Sequence, residues 1–214
     1  FATIGDVMEL RGENRVIVKS GLELMAHTRN IGLKALMQAT ETRPENIKPY
    51  TIGFVLGPCL NATGRLDTAA NALELFQTTD RGRAAVLAGD LKAMNDSRKE
   101  LTRKSVDEGV AQIEHSGLMQ DRVLVVYLPD VHESLAGIIA GRIREKYGKP
   151  AFVLTRAEEG VKGSGRSIEA FHMYDELTKC KDLFTKYGGH KLAAGLSLAE
   201  EDVDELRRRL NENC

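Results

Sequence analysis

Four kinds of phosphate donor fall within six residues of this chain, in the run Lys162-Gly-Ser-Gly-Arg-Ser167. Gly163 and Gly165 allow φ > 0, which lets consecutive backbone N–H groups converge on an anion. Arg166 can hold a phosphate bidentately, and Ser164 and Ser167 add hydroxyl donors. The run lacks the GxxxxGK[ST] spacing, so it is not a P-loop. A β-hairpin turn with a solvated Arg accounts for the same residues without a ligand, and on local sequence both readings stay open.

A second candidate is Tyr187-Gly-Gly-His-Lys-Leu-Ala-Ala-Gly195. Paired glycines Gly188 and Gly189 would present His190 and Lys191 on a tight turn, His190 to bond a phosphate or stack on a base and Lys191 as a point charge. A His held by backbone partners is the plainer alternative. His132 and Glu133 sit where a buried strand gives way to a helix N-terminus, a place suited to anions, although N-terminal capping explains Glu133 equally. Asn61-Ala-Thr-Gly-Arg-Leu66 puts an amide and Arg65 around a Gly turn, with helix punctuation as the default. The histidines His27, His115, His132, His172 and His190 include no HxH or HxxxH spacing and no accompanying carboxylate cluster, so no metal site is read from them. No catalytic triad declares itself either.

These residues need a scaffold, and composition bounds it. The 214 residues are 42% hydrophobic, 29% charged and 5% aromatic, and 30 Lys plus Arg nearly cancel 31 Asp plus Glu. That is ordinary globular composition, with room for two small domains. A net charge of -1 argues against a histone-like binder that relies on bulk positive charge. It leaves room for a local basic groove, because Arg142, Arg144, Lys146, Lys149, Arg156, Lys162 and Arg166 face only Glu145, Glu158 and Glu159 in the same stretch. No apolar run of about 18 residues is present, which argues against a membrane partner. Cys59, Cys180 and Cys214 form no CxxC pair, so neither a zinc knuckle nor a disulfide framework is encoded, and a reducing, cytoplasmic setting is expected. The chain opens on Phe1, inside an apolar stretch already under way, and reads as a piece of a longer protein.

Periodicity then predicts the elements. Val16 to Val18 reads as a short strand, followed by two short helices carrying Leu22 and Met25, then Leu33, Leu36 and Met37, with Asn30 to Gly32 between them. Pro44 and Pro49 bracket a loop before a helical stretch over Tyr50 to Leu56, which Gly57 and Pro58 should end. Ala69, Ala72, Leu73 and Phe76 mark another helix, and Asp80 is an N-cap for the next. From Arg81 to about His115 one long helix is expected, roughly 50 Å at 1.5 Å per residue, with Gly89 and Gly109 as bend points and a coiled-coil arm as the less favoured reading. Arg122 to Leu128 is a β-branched run for a buried strand. A helix follows with Leu135, Ile138, Ile139, Ile143 and Tyr147 on one side, then a second strand over Ala151 to Thr155. This strand, helix, strand order predicts a right-handed crossover and an α/β layer. A Gly-rich stretch, a helix from Met173, a strand near Leu196 to Leu198 and a terminal helix from Val203 complete the chain.

The order of ATIGDVMELRGENR, GPCLNATGR, HESLAGIIAGR, GSGRS and GGHKLAAG resembles the RecJ-type exonucleases, single-strand-DNA-specific nucleases of the DHH phosphoesterase superfamily. The resemblance covers essentially the whole chain. It implies an α/β fold in which residues 1–79 are the C-terminal part of a DHH catalytic domain, 80–117 a connector helix, and 118–214 a small mixed-sheet DHHA1 domain. It implies hydrolysis of phosphodiesters from the 5′ end of single-stranded DNA in repair and recombination, with Mn²⁺ or Mg²⁺ in the full-length enzyme and none expected on this segment, whose metal motifs would lie upstream. Asp6 follows the last of those motifs and is not assigned as a ligand. The resemblance assigns phosphate or nucleic-acid contacts to Arg65, His132, Ser164, Arg166, Ser167, Gly188, Gly189 and His190, and the residue-level reading adds Asn61 and Lys191 as candidates. Cys59 departs from it, standing where the pattern is often basic. A DHH-DHHA1 phosphodiesterase of short oligonucleotides or cyclic dinucleotides is the nearest alternative, and a non-catalytic scaffold or partner-binding module the other. Scarce aromatics favour grip on backbone phosphates over base stacking, so binding should be salt-sensitive. The segment alone should be inactive.

Overall fold

Among the described residues, the apolar spacing of the first hundred yields helices alone. A computed structural model describes residues 1–66 and 69–212, and the chain divides into two units, Phe1–Lys99 and Glu100–Cys214. In the first unit a one-turn helix α1 (Ala2–Gly5) precedes α2 (Gly12–Ala26) and α3 (Ile31–Ala39). The strand expected at Val16 to Val18 is instead the interior of α2. Three β-branched residues cannot hold an extended run when Glu13, Arg15, Lys19, Leu22 and Leu24 around them all favour helix. Asn30 ends the gap between α2 and α3: its Oδ1 accepts the Leu33 N–H at 2.8 Å and its Nδ2 donates to the Phe76 carbonyl at 2.8 Å. One side chain thus caps a helix and ties it to a second.

Gly57 and Pro58 do not end the next helix. After α4 (Pro49–Thr51) the backbone widens into a π turn over Ile52–Leu56 and runs on as α5 (Gly57–Leu66). The Gly57 N–H reaches back to the Ile52 carbonyl, five residues away, and this wider turn admits the Pro58 ring that a regular turn would exclude. The Gly turn expected within Asn61–Leu66 is therefore helical backbone. In α6 (Ala70–Gln77) the core contact is Leu75, fully buried, while Leu73 is exposed. Leu33, Leu36, Met37, Leu56, Cys59 and Leu75 pack with Ala84, Leu87 and Leu91 of the long helix α7 (Arg81–His115). Asp80 caps α7 as expected, its Oδ1 accepting the Arg83 N–H at 2.8 Å.

α7 runs 35 residues, and the unit boundary falls inside it. Residues 96–104 include no buried side chain. A helix without a packed face depends on its own side-chain pairs, and Lys92–Asp96, Glu100–Arg103, Glu100–Lys104 and Arg103–Asp107 supply them at i,i+3 and i,i+4 spacing.

The second unit is the α/β layer. β1 (Leu124–Tyr127), α8 (Glu133–Tyr147) and β2 (Ala151–Arg156) follow the expected strand, helix, strand order, with β1 and β2 parallel. The remaining strands are antiparallel: β3 (Val161–Arg166), β4 (Phe184–His190) and β5 (Ala193–Leu198), in the order β1-β2-β3-β5-β4. Between them lies α9 (Met173–Thr178), and α10 (Val203–Glu212) follows β5. α8 and the end of α7 cover one face through Ile113, Leu124, Val126, Ile139, Ile143 and Val153. α9 and α10 cover the other through Val125, Phe152, Leu154, Met173, Leu177, Leu196, Leu206 and Leu210.

The Gly-rich run is neither an anion nest nor a hairpin turn, because Lys162 to Arg166 belongs to β3, which is paired with β2 on one side and β5 on the other. Gly163 and Gly165 point toward the α9 and α10 face, where space is the constraint. A Cβ on Gly163 would stand 2.3 Å from Leu154 Cδ2, and one on Gly165 2.5 Å from Met173 Sδ and 2.6 Å from Phe152 Cε1. The absent side chain of Gly163 makes room for Leu154 and Leu196, and that of Gly165 for Phe152 and Met173.

Two outcomes test this packing. Gly165→Ala should cost about 1–3 kcal/mol by overpacking, read as a lower midpoint in urea with unchanged slope. On α10, hydrogen bonds from Arg208 and then Arg209 hold the Glu205 carboxyl down to about 2. A depressed carboxylate stabilises fully above its unfolded value near 4.3 and loses that contribution as pH falls toward 2. Melting temperature should therefore fall more steeply over that window in the native chain than in Glu205→Gln.

Candidate functional site

Side chains alternate across a strand, so β3 presents Lys162, Ser164 and Arg166 to the side opposite its glycines. α8 packs on β2 and β3 on that side, and beyond it Lys186, Gly188, His190 and Gly195 of β4 and β5 are exposed. Register arranges this surface in three rows across the strands. Lys162, Ser197 and Lys186 are neighbours in one row; Ser164, Gly195 and Gly188 in the next; Arg166, Ala193 and His190 in the third. Two rows carry basic side chains, and the row between them carries almost no side chain at all. Successive rows are about 7 Å apart, from the rise of two residues along a strand.

The N-terminus of α8 forms the opposite wall. A cavity of about 460 Å³ lies between Ser134 and Ala136 on that wall and Ser164, Tyr187, Gly188 and Gly195 on the sheet. A second, of about 720 Å³, adjoins His132, Arg156, Glu158, Glu159 and Thr185. Glu133, Lys162, Lys186 and Ser197 line both.

His132 is the N-cap of α8, a role the sequence suggests for Glu133 instead. Its Nδ1 accepts the Ser134 N–H at 3.3 Å and lies 2.7 Å from Ser134 Oγ. His190 uses Nδ1 in the same way toward the Leu192 N–H at 3.3 Å. An accepting Nδ1 leaves the proton of the neutral ring on Nε2, so both exposed rings keep one donor. Arg166 donates from Nη1 to the Gly165 carbonyl at 2.8 Å and lies against α8, where a Cβ on Gly137 would stand 2.7 Å from Nη2. The small residue in the HESLAGIIAGR helix is what lets the guanidinium lie between helix and sheet. Lys162 Nζ contacts Glu133 Oε2 at 2.7 Å, and the hydrogen bond to that carboxylate pushes the Lys162 ammonium up from its ordinary value.

Of the residues expected from sequence, His132, Ser164 and Gly188 line the two cavities, and Arg166 and His190 lie in the adjacent row of the same sheet face. Ser167 leaves that set: it is buried, and its hydroxyl donates to the Phe171 carbonyl at 2.7 Å. Gly189 falls on the opposite face, where a Cβ would meet the Ala193 carbonyl oxygen at 2.4 Å. The two-residue turn is Lys191-Leu192, not the paired glycines, and Lys191 Nζ is held by Glu169 Oε2 at 2.7 Å. Asn61 is exposed on α5 in the first unit. Arg65 is on the same helix, and its side chain lies outside the described residues. Cys59 is buried, its Sγ facing Asn95 Nδ2 at 3.6 Å, and burial raises its thiol pKa; a phosphate contact there has no route. Lys186, Ser134 and Ser197 are groove residues that sequence reasoning passed over, whereas Gly195 closes the second candidate run. The alternation Lys186-x-Gly188-x-His190 is the signal that could have found Lys186.

Among the described residues no three His, Cys, Asp or Glu side chains converge as metal ligands must. Among the described residues, also, no helix is long and apolar enough to cross a membrane.

Comparison with known proteins agrees with this architecture. The DHHA1 domain family matches residues 120–214. The single-stranded-DNA-specific exonuclease RecJ of Bacillus subtilis is 38% identical over 99% of this chain and 27% of its own length. That of Escherichia coli is 35% identical over 99% of this chain and 38% of its own. The chain therefore spans well under half of these relatives. Among solved structures, RecJ from Thermus thermophilus in complex with Mn²⁺ superposes with a TM-score of 0.88 at 31% identity, covering 99% of this chain and 31% of that one. A second structure of the same protein, with Mg²⁺, gives 0.87. By sequence and by fold the chain is similar over nearly its whole length to part of the RecJ exonucleases, and residues 120–214 match the DHHA1 domain family.

Proposed function

We propose that this chain is the substrate-gripping part of a metal-dependent 5′-to-3′ single-stranded-DNA exonuclease that serves DNA repair and recombination. Residues 1–79 would complete a DHH catalytic domain, 80–117 connect it, and 118–214 hold the strand. The observation that carries this reading is the three-row groove, in which Lys162 and Lys186 flank one side of a bare row and Arg166 and His190 the other. Cationic donors set on alternate residues of neighbouring strands suit a regularly charged backbone and read no base edge. Catalytic metal, when bound by the longer protein, supplies an activated water and charge stabilisation at the leaving oxygen. The part played by this chain is to hold phosphates through Arg166, Lys186, Ser164 and His190 and so fix where along the strand hydrolysis falls.

The bare row supports the same reading. Unlike Gly163 and Gly165, Gly188 has nothing within 4 Å of where its Cβ would lie, and Gly195 only the Gly163 carbonyl oxygen at 3.8 Å. Packing within the unit does not call for glycine at either place. Glycine in a strand interior costs stability and suits a position where a ligand comes close to the backbone.

Fluorescence anisotropy of the 214-residue chain with 5′-phosphorylated single-stranded DNA over a salt series tests the reading. Arg166→Ala should weaken binding and make the dependence of log K on log salt shallower by about 0.7 for each phosphate that the variant no longer neutralises. Equal binding by both proteins, with folding of the variant verified by circular dichroism, favours a scaffold. Gly195→Ala should move stability and binding in opposite directions, raising the urea midpoint while loosening DNA.

A further inference from the structure

The groove contains one residue of the wrong sign for a phosphate grip. Glu133, at the first turn of α8, reaches across to the sheet and pairs with Lys162 at 2.7 Å. Both side chains line both cavities, so the ion pair spans the groove at the point where its two lobes meet. Lys162 belongs to the same cross-strand row as Lys186, the row that should hold one phosphate. A carboxylate bonded to that ammonium occupies the place of a phosphate oxygen.

We propose that Glu133 is a specificity-determining residue that acts as a resident stand-in for phosphate: it holds Lys162 until a DNA backbone phosphate displaces it, and so lowers the affinity of the groove for nucleic acid. The inference rests on the reading of the groove as a phosphate grip. The ion pair is half exposed, 52% at Lys162 and 45% at Glu133, so it exchanges readily and its effect on affinity is modest. Glu158, at the hairpin between β2 and β3, is the other carboxylate whose charge acts on Lys162; it has no direct contact and adds only a weak background field. A phosphodiester that enters must exchange one carboxylate partner for one phosphate partner, which makes Lys162 neutral in net benefit although it is chemically a good phosphate ligand. Such a device keeps a strand held yet free to advance after each cleavage, where a groove with every cation available would retain its product.

The test is a double-mutant cycle in the same anisotropy assay, with the 214-residue chain and a 5′-phosphorylated oligothymidylate at low salt. Glu133→Gln keeps the shape and removes the charge. It should tighten binding about three- to fivefold. Lys162→Ala should change affinity little in the native background and weaken it several-fold in the Glu133→Gln background, because only there is the ammonium fully available to phosphate. Unchanged or weaker binding by Glu133→Gln, or an equal effect of Lys162→Ala in both backgrounds, overturns the proposal while loss of affinity in Arg166→Ala still upholds the phosphate grip. Absence of DNA binding by every protein in the set overturns both. Melting temperatures of the four proteins, expected within a few degrees of one another, separate these outcomes from misfolding.

Discussion

The second unit depends on the register of a single strand. β3 alternates residues that must be small with residues that must be polar, and a slip of one position would exchange the two sets. Lys162, Ser164 and Arg166 would then be driven against Phe152, Leu154 and Met173, and the glycines would face solvent. The core on one face and the groove on the other are therefore two results of one constraint. Phe152 enforces it from the neighbouring strand, because its ring fills the space left by Gly165 and leaves none for a side chain. Pairing with β2 and β5 along the full length of β3 fixes the rest.

That constraint also explains what the sequence made legible. Strongly patterned elements, the β-branched run of β1, the i, i+3, i+4 stripe of α8 and the Asp80 cap of α7, read correctly because periodicity and local chemistry agree there. β3 and β4 did not, because Gly163, Gly165, Gly188 and Gly189 carry no strand propensity and look like turn residues. Their extended form is imposed by neighbours distant in sequence. The motif was visible before its mechanism: Arg166 and Ser164 do lie at the groove, but as alternate residues of a strand, while the glycines serve packing. Ser167 was misread for the same reason, since a hydroxyl in a glycine-rich run looks available until Phe171 is seen to take it. Pro58 misled in the opposite sense, because widening of the preceding turn is invisible in a residue pattern.

Charge in the groove is arranged by local pairing more than by count. A chain with almost balanced charge places Lys162, Lys186 and Arg166 on one face, then sets Glu133 among them. Histidines enter by the same logic of local bonding: at positions 132, 172 and 190 the Nδ1 atom accepts a backbone N–H, twice as a helix cap and once across a hairpin turn. A capping Asp or Asn would satisfy those amides equally. Histidine does so while leaving a second nitrogen to donate, which an Asp cannot offer to an anion.

The middle of α7 bears on how ionic strength acts on this molecule. Over residues 96–104 the helix has no buried face, and its side chains are joined mainly by exposed ion pairs. Added salt screens such pairs over the same concentration range in which it screens a phosphate groove. On the proposed reading of the groove, ionic strength is thus one control with two targets: added salt weakens both the grip on a phosphate backbone and the ion pairs along the middle of this helix.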